Sequence, residues 1–233
     1  MKRLIVLLAL LVVVGQAHSQ FWKKALTGST PTSAEVTNGL KEALTQGATK
    51  GSKLVSQLDG YFKNPEIKIP FPPDVKMVET KLRSLGLGNQ VDEFVLSLNR
   101  AAEDAAKEAT PIFVSAIKQM TIADAMGILK GEPDAATQYL KKTTTVQLKE
   151  KFKPVVQNSL NKVNATKYYS DLIGNYNRIP FVQKVKPDLN DYATDMAVQG
   201  LFVMIAKEEK NIRKDPLART TDLLKKVFSS QGK

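Results

Sequence analysis

From residue 33 onward, apolar side chains recur every three or four positions, the spacing of one helix face. The first stripe is Val36, Leu40, Leu44, Ala48, Val55 and Leu58. It opens on Thr32-x-x-Glu35, a capping box in which each side chain would serve a backbone donor of the other. Gly39, Gly47 and Gly51 lie near that stripe; each weakens a helix by about 1 kcal/mol against alanine, which predicts a neighbouring helix passing close by. A second stripe runs Val75, Val78, Leu82 and Leu85, with Gly86 as its C-terminal stop. Asn89 and Asp92 are the expected caps of the next helix, whose stripe is Val91, Phe94, Val95, Leu98, Ala102, Ala105 and Ala109. Pro111 either kinks that helix or stands in the first turn of a new one.

Thr121 and Asp124 start a short helix that ends near Gly131, and Pro133 opens another carrying Tyr139 and Leu140. Val146, Phe152, Val156, Leu160 and Val163 trace a longer helix across Pro154. Tyr168, Tyr169, Leu172 and Ile173 form an apolar cluster, closed by the Gly174 to Pro180 region. Asp188 is the expected cap of a long helix with Leu189, Tyr192, Met196, Leu201, Met204 and Ile205; Pro216 ends or restarts it before Leu223, Leu224, Val227 and Phe228.

Between the first two stripes the pattern changes. Pro65, Pro70, Pro72 and Pro73 remove donors and force extended backbone over residues 64–73. There Ile67, Ile69 and Phe71 alternate, so they share one face of an extended strap, which reads as a packed connector rather than a ligand loop. No segment alternates long enough to demand a sheet, and no fixed-period repeat is present. The expectation is an all-α protein, a single compact multi-helix, bundle-like domain over residues 33–229 with one Pro-rich extended connector. A flexible segment (20–32) precedes it and a short tail (230–233) follows.

Residues 1–19 change the picture of where the chain works. Lys2 and Arg3, eleven apolar residues from Leu4 to Val14, and Ala17-His18-Ser19 match a secretory signal cleaved after Ser19. Eleven helical residues reach about 16 Å, half of a ~30 Å hydrocarbon core, which argues against an anchor. The expected product is exported, periplasmic or secreted. Losing Lys2 and Arg3 leaves 32 basic against 23 acidic residues, a formal +9. Cysteine is absent and the single histidine, His18, lies in the signal. Thiolate, imidazole and Cys-ligated metal chemistry are therefore excluded from the processed chain, and no cofactor is expected.

Gly86-Leu-Gly88 fails as a dinucleotide loop, because a helix precedes it and no third glycine follows; Asn164-Ala165-Thr166 is a chance-prone sequon. The arginines are scarcer than the lysines; beyond the signal they are Arg83, Arg100, Arg178, Arg213 and Arg219, and two charged segments stand out, Asn99-Arg100-Ala101-Ala102-Glu103-Asp104 and Glu208-Glu209-Lys210-Asn211-Ile212-Arg213. Arginine favours fixed bidentate pairing, and flanking alanines suggest a close helix contact. The expected arrangement is a partly buried network of Arg100, Glu103, Asp104, Glu208, Glu209 and Arg213. Arg100 lies three and four residues from Glu103 and Asp104, and Glu209 four from Arg213, the spacings of pairs on one helix face; if the two helices pack together, Arg100 meets Glu208 or Glu209 while Arg213 meets Glu103. Glu103 and Glu208 are also the weak candidates for a catalytic acid, since burial favours a protonated carboxyl. No Ca²⁺-loop motif is present, and no metal site is assigned. Lys141, Lys142, Lys149, Lys151 and Lys153 form the densest basic stretch, either a solvated face or a contact for anionic lipid or polymer. Interleaved acids and stripe-bound aromatics argue against nucleic acid.

Asn99-Arg100-Ala101-Ala102-Glu103, Asp124-Ala125 with Gly131 and Ala135-Ala136-Thr137-Gln138-Tyr139, Glu208-Glu209 with Ile212-Arg213 and Pro216, and the tail from Arg219 to Phe228 occur in that order. Together they resemble the exported bacterial family called domain of unknown function 4197, over about residues 36–229. The resemblance implies a helical, signal-bearing protein of Gram-negative envelopes and implies no reaction. The expected function is a non-enzymatic envelope protein binding an amphiphile or an anionic envelope component, with peripheral membrane contact. The charged network would hold the polar head and the helix interfaces the apolar tail. The alternatives are a carboxylate-dependent cell-wall hydrolase or lyase, and a structural or assembly partner.

Overall fold

The computed structural model describes residues 32–162, 164–185, 189–215 and 225. The export signal, Val163, Asp188, Pro216 and the apolar residues near the C-terminus lie outside them. Apolar periodicity becomes helix almost everywhere, and no strand occurs among the described residues. Helix α1 (Ser33–Val55) begins directly after Thr32 and buries Val36, Leu40, Leu44, Ala48 and Val55. Leu58 is 75% exposed, because the helix stops three residues before it. The strap follows, shorter than expected: residues 65–67 form a turn, with the Ile67 and Lys68 N–H groups donating to the Asn64 carbonyl, and Pro73 already opens a single 3₁₀ turn (Pro73–Val75) before α2 (Lys76–Ser84). Gly86, at φ +81°, ends α2 as a Schellman turn: its N–H reaches the Arg83 carbonyl, and that of Leu87 reaches Leu82.

Helix α3 (Gly88–Ala105) runs through a 3₁₀ turn (Ala106–Glu108) into α4 (Ala109–Gln119), so Pro111 sits in the first turn of α4. Asn89 and Asp92 are not caps, since α3 already starts at Gly88; Asp92 instead takes Arg83 at 2.7 Å. Thr121 and Asp124 form the capping box of α5 (Ile122–Lys130) as read from sequence, with Gly131 at its end. The two helices expected on either side of Val146 are one, α6 (Ala135–Lys162), 28 residues long. Its stripe is Leu140, Thr144, Leu148, Phe152, Val156 and Leu160, and Val146 points to water at 71% exposure. Thr144 escaped the apolar count because its hydroxyl donates to the Leu140 carbonyl (2.6 Å), leaving its methyl to the core. Pro154 sits on the exposed face of α6, where water can serve the carbonyl that proline leaves without a donor. Helices α7 (Ala165–Asn177) and α8 (Asn190–Lys214) complete the described chain.

The longest helices make the centre. Helix α8 packs between α1 and α6, α4 and α5 cover α1, and α3 bridges α6 to α7. Gly47 and Gly51 let α8 approach α1: a Cβ on Gly51 would stand 3.4 Å from the Ile205 backbone nitrogen, and one on Gly47 3.7 Å from Glu208 Cβ. The pairs Lys153–Asp191 (2.6 Å), Lys149–Asp195 (2.7 Å) and Thr137–Glu209 (2.8 Å) set α6 and α8 antiparallel. Phe71 from the strap joins Phe94 of α3 edge-on at 5.3 Å, and Phe94 stacks on Tyr169 of α7 at 5.1 Å. Among the described residues no single helix is long and apolar enough to cross a membrane. The bent pair Gly88–Gln119 and Ile122–Lys130 meets that criterion jointly, but its halves turn through 105° and supply core residues.

Candidate functional site

The strap needs outside partners, because prolines and extended backbone leave it no ladder of its own. Helix α3 supplies them from one turn. The Asn99 side chain is fully buried; its Oδ1 accepts the Ile69 N–H (2.8 Å) and its Nδ2 donates to the Ile69 carbonyl (2.8 Å), as a neighbouring strand would. Glu103 Oε1 accepts the N–H groups of Tyr61 (3.1 Å) and Phe62 (3.2 Å), and its Oε2 takes Arg100 at 2.7 Å. Arg100 continues to Asp59 at 2.7 Å, and Lys63 binds the same carboxylate at 2.9 Å. Hydrogen bonds from Lys63, then Arg100, hold Asp59 below the usual carboxylate range. Its φ of +68° places it in the left-handed region, which aspartate tolerates.

Tyr61 locks the same segment from the other side. Its hydroxyl donates to the Ala197 carbonyl of α8 at 2.6 Å, and a Cβ on Gly200 would strike its ring at 2.5 Å. Burial, then the Glu103 charge, pushes its phenol well above the ordinary value. Tyr192 donates to the Pro70 carbonyl (3.1 Å), and Lys207 pairs with Glu66 (2.6 Å). Asp104 faces away, toward α6. It accepts the Ser159 hydroxyl at 2.6 Å and Lys107 at 2.9 Å, which hold its carboxyl low in that order.

The second charged segment closes a different joint. Glu209 receives the N–H groups of Ala136 (3.0 Å) and Thr137 (2.8 Å) and the Thr137 hydroxyl (2.8 Å), capping α6 from a distant helix. Arg213 holds Glu209 at 2.8 Å and donates to the Ile128 carbonyl in the last turn of α5 (3.0 Å). One ion pair thus sets a negative group at the start of α6 and a positive group at the end of α5, each matched to its helix dipole. Glu208 points to α1, with Oε2 on Lys50 at 2.7 Å.

This corrects the pairing expected from sequence. Arg100 takes Glu103 and Asp59 rather than Glu208 or Glu209, and Arg213 takes Glu209 and a backbone carbonyl rather than Glu103. The physical reason is that spacings of three and four close each pair on its own helix, leaving the carboxylates for backbone donors of another segment. Those donors have no side-chain signature, so the pattern of charges could not reveal them. Both oxygens of Glu103 serve N–H donors, the posture of an acceptor rather than of an acid aimed at a substrate. Beside Glu209 and Arg213 the free space is about 20 Å³, room for about one water. Among the described residues no three His, Cys, Asp or Glu side chains gather where a metal ion could be held.

An open groove of about 400 Å³ lies along the α6–α8 seam. Its floor is Val198, Phe202, Val203 and Ala206 of α8, and its other wall is Gln138, Lys141, Thr145 and Lys149 of α6. The ends carry Asp134 and Asp195. Lys149 is tied to Asp195, whereas Lys141 has no acidic partner among the described residues. The basic stretch seen in the sequence is thus divided: Lys149 and Lys153 stitch α6 to α8, and Lys141 lines the groove, with no ion pair among the described residues, opposite Val198, Gln199, Phe202 and Val203. The groove was missed in the sequence because its two walls are 50 to 70 residues apart and neither is unusual alone.

No curated protein matches this chain, and no solved structure matches it. One family does, over residues 30–229, which include both carboxylate joints, the strap and the groove: the chain belongs to the family described as "Protein of unknown function (DUF4197)".

Proposed function

We propose that this is a non-enzymatic, exported binding protein of the cell envelope that takes a single-chain anionic amphiphile in the groove between α6 and α8. The observation that supports this is the groove's composition. An apolar floor of Val198, Phe202 and Val203 runs beneath Lys141, a cation whose charge no described acid answers. Its volume of about 400 Å³ falls within the ~300–1,000 Å³ typical of small-molecule sites. The anionic head rests on Lys141, with Gln138 and Thr145 within the same wall, and the chain lies along α8. This moves the ligand away from the Arg100 and Arg213 clusters, whose charges already serve the protein's own backbone. The signal-like residues 1–19 and the basic balance of the chain support placement in the envelope.

The test uses palmitate as probe, titrated calorimetrically below its micelle concentration, together with native mass spectrometry of protein purified from its own cells. Saturable binding that Val203→Lys and Lys141→Glu each weaken at least about tenfold, with melting temperature kept, is the expected result. Absence of saturable binding, or wild-type affinity in both variants, sinks this reading.

The cell-wall hydrolase reading has less behind it, because Glu103 and Glu208 are each engaged by cations or backbone donors.

A further inference from the structure

After α7 the chain makes a small closed loop. Asn177 ties its base: its Nδ2 donates to the Val185 carbonyl (3.0 Å), and its Oδ1 accepts the Val185 N–H (3.1 Å). Ile179, Val182 and Val185 tuck against the core, so the loop is anchored from within. Phe181 does the opposite. Its side chain is fully exposed, 108% by the standard reference, and its backbone sits at φ +64°. A bulky aromatic in the left-handed region is disfavoured, and here that conformation goes with a ring turned outward while Ile179 and Val182 turn inward. Pro180 precedes it and is also exposed. Arg178 and Lys184 flank the tip, both exposed, and neither has an acidic partner among the described residues. An apolar ring held at the apex of a fixed loop, between two unanswered cations, matches the layered chemistry of a lipid surface: anionic head groups outside, hydrocarbon just beneath.

We infer that the 178–184 loop is a membrane-docking tip, in which Phe181 enters an anionic bilayer surface while Arg178 and Lys184 rest on its head groups. This rests on the envelope-lipid reading above and adds the surface through which the protein reaches its source of amphiphile. Phe181 is not part of the groove, and the two sites are separable by experiment.

Vesicles of phosphatidylglycerol and phosphatidylethanolamine are compared with neutral phosphatidylcholine vesicles in co-sedimentation, using protein purified in the form it has in its own cells. Binding to the anionic vesicles alone, weakening as salt rises, is expected. Phe181→Ser should lower the partition coefficient at least about tenfold, and the pair Arg178→Gln with Lys184→Gln about thirtyfold at low salt. Phe181→Gly is the sharper control: it relieves the backbone strain, so melting temperature should hold or rise while vesicle binding falls as in the serine variant. Equal binding by wild type and Phe181→Ser, equal affinity for neutral vesicles, or no vesicle binding at all overturns the inference; the last result leaves a protein partner as the occupant of the tip. Palmitate titration of Phe181→Ser separates the two readings. Retained palmitate binding with lost vesicle binding supports both, and retained palmitate binding with intact vesicle binding by every tip variant overturns the tip alone.

Discussion

Glu103 and Glu209 each receive two backbone N–H groups and one arginine, yet the backbones they serve differ in kind. Glu103 holds a turn and strap that have few regular partners, whereas Glu209 completes a helix that already has 28 residues of its own hydrogen bonds. The strap depends on α3 for its conformation; α6 depends on Glu209 only for its first turn and for its docking beside α5. The same three-part device therefore fixes a fold in one place and trims an end in the other. The positions of the arginines agree with this: Arg100 extends to Asp59, inside the turn that leads into the strap, and Arg213 extends to the last turn of the preceding helix.

The largest expected effect breaks that contrast at the strap. Glu103→Ala leaves the Tyr61 and Phe62 N–H groups and Arg100 without their shared acceptor, and should cost about 4 kcal/mol in denaturant unfolding. Asn99→Ala, which strips both polar groups of Ile69, should cost about 3 kcal/mol. Gly200→Ala forces a methyl into the Tyr61 ring and should cost about 2 kcal/mol. Glu209→Ala should cost about 2 kcal/mol, less than Glu103→Ala, because water can reach the first turn of α6 in the relaxed variant. A cost for Glu209→Ala equal to or above that of Glu103→Ala would erase the distinction between the two joints.

The smallest effect is read by pH. Asp59 and Asp104 have lowered values in the folded chain, so their stabilisation is fully present above the ordinary carboxylate value near 3.8 and fades as pH falls through the folded ones. Asp59→Asn keeps the left-handed backbone and removes the titration; its stability should decline less steeply below about pH 4 than that of the wild type. The raised phenol of Tyr61 has the opposite sense: its contribution is present below pH 10.0 and lost as pH rises beyond it. Tyr61→Phe should flatten the alkaline limb of the unfolding profile.

Much of the fold was legible because helix signals are local. The Thr121–Asp124 box, the Gly86 stop and, of the α1 glycines, Gly47 and Gly51 each depend on residues within a few positions, and each appears as read. The strap was legible too, since Ile67, Ile69 and Phe71 are all buried as the alternation required. What failed was tertiary. Leu58 was counted into a stripe whose helix had already ended, and Val146 was chosen over Thr144 because hydropathy ranks a valine above a threonine that hides its hydroxyl. In the charged network the pairs within one helix, Arg100–Glu103 and Glu209–Arg213, follow from spacing, whereas the contacts across helices go to backbone amides rather than to the other charged segment. The tip at Phe181 carried no sequence signal, because an isolated phenylalanine between proline and valine reads as core.

The Tyr61 hydroxyl bond to Ala197 spans 136 residues, and the Glu103 contacts to Tyr61 and Phe62 span 42 and 41. A chain emerging N-terminus first can therefore tie this segment to Asn99 and Glu103 once α3 is present, but cannot add the Tyr61 lock until α8 follows. Closure of the 59–71 stretch thus comes in two stages during synthesis, the polar ties to α3 first and the seal against α8 last.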